Sequence, residues 1–103
     1  MLTAVITVAL GCPRSGAVRA KEAALSEDLR TLRSCIDQYF AVNRAYPVSL
    51  EELVEKKYIR KVPADPFTRK AEWVLVRSGD GRVIDVRSAY RGRALDGSRY
   101  ERW

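Results

Sequence analysis

Between Ala17 and Val42 neither glycine nor proline interrupts the chain, and Val18, Leu25, Leu29, Leu32, Ile36 and Tyr39 recur at steps of seven, four, three, four and three residues. That spacing is the period of one helix face, so it predicts an amphipathic helix of about seven turns. Its apolar stripe must be covered by whatever follows. Lys21, Glu22, Glu27, Asp28, Arg30, Arg33 and Asp37 fall on the other face and are expected in solvent. Arg30 lies three residues after Glu27 and Asp37 four after Arg33, the separations of helix-surface ion pairs. A coiled coil is the alternative for a 3-4 spacing, but three heptads are marginal and the stripe ends in an aromatic residue.

Asn43 suits the end of that helix, and Pro47 pushes Tyr46 into an extended conformation. Ser49-Leu50-Glu51-Glu52 is a capping box, with Ser49 placed to accept from the backbone three residues on and Glu52 to reach back. A second helix is predicted over Leu50 to Lys56, with Leu50, Leu53 and Val54 on one face. Pro63 and Pro66 bracket Asp65 in a rigid, extended connection. Glu72 to Arg77 and Arg82 to Arg87 read as two strands joined by Ser78-Gly79-Asp80-Gly81, whose Gly and Asp suit a hairpin turn. Alternation places Trp73 and Leu75, or Val74 and Val76, on the buried face. In the second strand it sets Val83, Asp85 and Arg87 opposite Ile84 and Val86. Ser88 to Trp103 is irregular, with Tyr100 and Trp103 as its anchors.

A chain of 103 residues, 47% apolar and 31% charged, has the size and composition of one folded domain. Its charge is +6, which fits nucleic acid, an anionic surface or neither. The excess lies in the basic tail and in Lys56 to Lys70, where Lys56, Lys57, Arg60, Lys61, Arg69 and Lys70 face only Asp65. Histidine is absent, which removes the commonest general base and the commonest transition-metal ligand. Cys12 and Cys35 are too few and too far apart for a zinc or thioredoxin-like site, and nothing in the sequence folds one back on the other. Cys35 reads as a plain helix-flank residue. Glu51 and Glu52 are adjacent on a helix and point to different sides, so they serve as first-turn partners of the helix dipole rather than as an acid-base pair. The chain is not expected to be an enzyme.

Met1 to Leu10 is a run of ten residues without charge, half of the ~20 that span a bilayer as a helix. Three readings stand: a signal-peptide core, with Ala9-Leu10-Gly11-Cys12 loosely like a lipobox; a buried element of the domain; or the second half of a longer transmembrane helix.

The order of these parts resembles the major (G-type) pseudopilins of type II secretion and the type IV pilin-like superfamily around them. The resemblance is carried by Ala20-Lys-Glu-Ala-Ala-Leu25 through Asp28-Leu29, Ile36-Asp37-Gln38-Tyr39-Phe40, Tyr46-Pro47 and Ser49-Leu50-Glu51-Glu52-Leu53. Pro63-Ala64-Asp65-Pro66, Trp73, Ile84-Asp85-Val86-Arg87-Ser88 and Asp96-Gly97 complete it. It covers nearly everything from Ala17 on. It implies an α+β fold, a long N-terminal amphipathic helix packed on a small antiparallel β-sheet. Residues 1–16 would be an apolar segment of a transmembrane or filament-core helix, and residues 17–103 a periplasmic globular domain. The helix-sheet contact then falls to Leu25, Leu29, Leu32, Ile36 and Tyr39, and membrane insertion and assembly to Val5, Ile6, Val8 and Leu10. Two features depart from the family pattern. The basic leader and the glutamate near the family's mature N-terminus are not in this sequence; aligning Leu10-Gly-Cys-Pro13 with the proline that ends the membrane half places that glutamate upstream of Met1. The family's last loop is acidic and binds calcium, whereas here Asp96, with Ser88, Ser98 and backbone carbonyls, stands among Arg91, Arg93 and Arg99.

By this resemblance the chain is a structural subunit of a secretion pseudopilus or pilus-like filament in the bacterial inner membrane and periplasm. Its expected partners are copies of itself, other pseudopilins, inner-membrane secretion components and the membrane, with calcium the one candidate cofactor. A binding module that uses the basic surface on DNA or anionic lipid is the alternative. Nucleic acid is the less expected partner, because the aromatics of the sequence do not interleave with the basic residues of Lys56 to Lys70 and the tail in a groove-like order.

Overall fold

The computed structural model describes the backbone from Leu2 to Trp103 and the side chains from Gly16 onward. The assembly residues Val5, Ile6, Val8 and Leu10, and Cys12, therefore lie outside the described side chains. The fold is α+β: helix α1 (Leu2–Asn43), helix α2 (Leu50–Glu55), strands β1 (Val74–Arg77) and β2 (Val83–Arg87), and a closing 3-10 turn over Tyr100–Arg102.

Helix α1 has the predicted stripe. Leu25, Leu29, Leu32, Ile36 and Tyr39 are all buried, joined by Cys35 on the flank, whereas Val18 is only half-buried. They pack on Leu50 and Leu53 of α2, on Trp73, on Val83 and Val86 of β2, and on Ala94 and Tyr100 of the tail. Each large side chain so buried contributes about 1.5–3 kcal/mol, so this stripe is the main source of stability. It is satisfied within the chain, by the sheet and α2. The helix stops where Arg44 turns left-handed (φ 59) and its N–H still reaches Phe40 O at 2.8 Å. Asn43 turns its amide back to Tyr39 O at 3.0 Å, so the two residues share the cap.

The capping box of α2 forms with one shift. Ser49 Oγ accepts from Glu52 N at 3.1 Å as predicted. The Glu52 carboxylate reaches one residue further back, to Val48 N at 2.8 Å, and its other oxygen accepts from Tyr39 Oη at 2.6 Å. The cap thereby doubles as a tie between the two helices. These hydrogen bonds, the tyrosine's first, hold the Glu52 carboxyl below the usual carboxylate range.

Strands β1 and β2 form a two-stranded antiparallel sheet with Val74 opposite Arg87, Leu75 opposite Val86 and Val76 opposite Asp85. The next pair is Arg77 with Val83, so Ile84 is an extra residue on β2 and the ladder carries a bulge there. This corrects the alternation expected for β2. Val83 and Val86 are both fully buried, while Ile84 is 38% exposed. In β1 the face with Trp73 and Leu75 is the one turned inward, and Val74 is exposed. Gly81 closes the turn at φ 84, a conformation that costs glycine nothing.

Candidate functional site

The surfaces open to function are set by three local arrangements. The first is a clamp on α1. Arg33, expected in solvent beside Asp37, instead turns onto the sheet. It donates to Asp85 Oδ1 at 2.8 Å, Val86 O at 3.0 Å and Trp103 O at 2.9 Å. Its long stem lets a residue next to Leu32 lie along the apolar face with its charge at the rim. Glu22 leaves the predicted solvated face in the same way, accepting from Tyr100 Oη at 2.7 Å and Leu95 N at 2.8 Å. Burial first, and this hydrogen bond second, push the Tyr100 phenol well above its ordinary pKa. Only Glu27 and Arg30 form the predicted surface pair, at 3.4 Å.

The second arrangement is a buried carboxylate. Asp65, between its two prolines, is fully buried. Oδ1 accepts from Phe67 N at 2.8 Å and Thr68 N at 3.3 Å, and Oδ2 from the buried Ser88 hydroxyl. Three donors replace water around the charge, as burial of a carboxylate requires. Asp28 of α1 lies close by, and its carboxyl is pushed up by partial burial first, then by the Asp65 and Glu27 charges. Trp73 Nε1 donates to Pro63 O at 2.9 Å and pins the start of the same connection.

The third is the tail. Phe67 stacks on Tyr90 with ring centroids 4.8 Å apart and planes 11° from parallel. Tyr100 meets Phe67 at 4.4 Å and Trp103 at 5.2 Å. Lys21 Nζ lies 5.9 Å from the Phe67 ring centroid. Gly92 is needed here, because a Cβ at this position would sit 2.9 Å from the Tyr90 ring.

The calcium expectation at Asp96 and Ser88 does not fit this geometry. Ser88 is turned inward to Asp65, and its oxygen also accepts from Tyr90 N. Asp96 Oδ1 closes its own turn, accepting from Ser98 N at 2.9 Å and Ser98 Oγ at 2.6 Å, which holds its carboxyl below the usual range. Calcium takes about six to eight oxygens, several from carboxylates, and among the described residues no three His, Cys, Asp or Glu side chains converge as a metal site would need. Cys35 is a buried free thiol whose Sγ lies 3.3 Å from Tyr58 O, and burial pushes it up.

Among the described residues no helix is long and apolar enough to cross a membrane. The chain matches no family model, and comparison with curated proteins and with solved structures returns no similar protein.

Sequence reasoning found the stripe, the caps and the Tyr100 anchor. It missed Arg33, Glu22 and the buried Asp65, each a charged residue at the edge of an apolar run. The available signals were position, Arg33 directly after Leu32 and Glu22 three before Leu25, and the prolines that fix the path of the chain around Asp65.

Proposed function

We propose that the chain is a pilin-like structural subunit, built to assemble with copies of itself into a secretion pseudopilus or related filament. The observation that carries this reading is how α1 is used. The helix runs 42 residues, about 63 Å at 1.5 Å per residue, yet its first core residue is Leu25; Gly16, Ala17, Arg19 and Ala20 are exposed. Lys21 and Glu22 still reach Phe67 and the tail, but Gly16, Ala17, Arg19 and Ala20 stand clear of the domain, so the helix from there toward its start is free to pack against other helices. The slender outline, 62 × 25 × 20 Å, suits lateral stacking of such helices. On this reading Val5, Ile6, Val8 and Leu10 lie in the membrane before assembly and in the filament core after it, and the domain faces the periplasm. Other pseudopilins and inner-membrane secretion components are its partners, and it catalyses no reaction.

The test is mass spectrometry of the native protein's N-terminus from isolated membranes, expressed from its full genomic reading frame. A processed, N-methylated residue encoded upstream of Met1 is the expected result. A chain beginning at Met1 in the soluble fraction, or at a lipidated Cys12, overturns the reading.

A further inference from the structure

The segment from Lys56 to Lys70 is laid along the side of α1. Tyr58 O touches Cys35 Sγ and the Phe67 ring meets Lys21 Nζ, and between them the Asp65 charge acts on Asp28. Cys35, Asp28 and Lys21 are seven residues apart in succession, one face of the helix. The segment therefore runs antiparallel to α1 for about 21 Å, fourteen residues at 1.5 Å each. Lys56, Lys57, Arg60, Lys61, Arg69 and Lys70 are all exposed along it. Its one acid, Asp65, is sealed by its three hydrogen bonds, and Glu27 of the neighbouring helix face is taken by Arg30. Lys57 and Arg69 sit at φ 67 and 63, a left-handed conformation that asparagine or glycine adopts more readily. Both positions nevertheless hold a cation.

Aromatic groups stand at both ends of this strip. At one, Lys57 and Arg60 wall an open hollow with Val54, Tyr58 and Ile59. At the other, Tyr90 lies parallel on Phe67 and is 37% exposed, with Arg91 next to it. The linear sequence hides this pairing, because Tyr90 is twenty residues beyond Lys70 and only the fold returns it to the strip. A row of cations ending on a partly exposed aromatic ring is the arrangement that tracks a phosphate backbone while stacking an unpaired base.

We propose that the strip from Lys57 to Tyr90 binds single-stranded nucleic acid, with about four nucleotides in contact. The cations neutralise phosphates, and Tyr90 stacks a base that a duplex would keep paired. This does not depend on filament assembly, because every group named belongs to the globular domain.

The experiment is fluorescence anisotropy of the full chain with a labelled oligothymidylate, repeated across roughly 50 to 200 mM salt. Affinity is expected to fall steeply with salt. Lys61→Glu with Lys70→Glu should weaken binding about tenfold or more and flatten the salt slope by about 1.4, at ~0.7 for each phosphate no longer neutralised. Tyr90→Ala should weaken it about tenfold with the slope unchanged, and Tyr90→Phe should keep the affinity. Circular dichroism melts establish that each variant is folded. Three results would overturn the proposal: no salt-sensitive binding at the lowest salt, a Tyr90→Ala protein that binds like the parent with dextran sulfate competing equally per charge, or preferential capture by vesicles of anionic phospholipid.

Discussion

Arg33 is the residue that ties the most distant parts of the domain together. It joins α1 to β2 and to Trp103, and no other described side chain bridges α1, β2 and the tail at once. Replacing it with methionine keeps the stem and removes three hydrogen bonds, to Asp85, Val86 O and Trp103 O, while Asp85 keeps Val86 N and Arg87 as partners. Urea titration should show a loss of about 1–2 kcal/mol, allowing for solvent screening at a site one-third exposed. Asp28 gives a prediction of opposite sign. Its carboxyl is pushed up in the folded state, so its protonated form favours folding, and that contribution is present at low pH and lost as pH rises through its folded pKa. Asp28→Asn should therefore melt higher than the parent at pH 7, and the difference should close below the ordinary carboxylate range; melts at about pH 7 and about pH 2.5 check it. At this scale the leucines were legible because a core position demands only apolarity at the right period. Arg33, Glu22 and Asp65 were not, since a charged side chain at the rim of a core is read as solvated until its partners, some twenty to eighty residues away, are in place.

At the level of elements, helices were better legible than strands. The capping box, the proline and the unbroken stripe fix α1 and α2 to within a residue or so of the predicted ends of Val42 and Lys56. Helix signals are local, within four residues, whereas a strand's inward face depends on register. In β2 the bulge at Ile84 advances the pattern by one, so Val83 and Val86, three apart, face the same core. Simple alternation makes Val83 and Val86 point to opposite sides. Alanine substitution separates the two descriptions: Val83→Ala should cost about 2 kcal/mol, and Ile84→Ala less than about 1 kcal/mol, by thermal or urea unfolding. The candidate site was legible as charge, in the six cations of Lys56 to Lys70, and illegible as shape. The stack of Tyr90 on Phe67 requires a contact between tail and connection that no local spacing encodes.

For the whole molecule, the filament reading divides the chain by role along α1. Polar substitution before the domain, as in Val8→Asp, should prevent assembly into sedimentable filaments, while the melting curve of the globular part stays that of the parent. The tail, by contrast, should be indifferent to calcium. At about 5 mM, above the ~10⁻⁴–10⁻³ M range of extracellular calcium modules, the melting temperature should not move.

The clamp at Arg33 also sets an order in time. On the ribosome α1 is made first, but its stripe from Leu25 to Tyr39 has no cover until β2 and Tyr100 follow, and Arg33 waits 70 residues for Trp103. At about 5–20 residues per second that interval is roughly 4–14 s. Throughout it the nascent chain presents α1 with its leucine face bare from Leu25 to Tyr39. The same face that closes the finished domain is, during synthesis, a handle for holding factors, and the domain becomes independent of them only once Trp103 is in place.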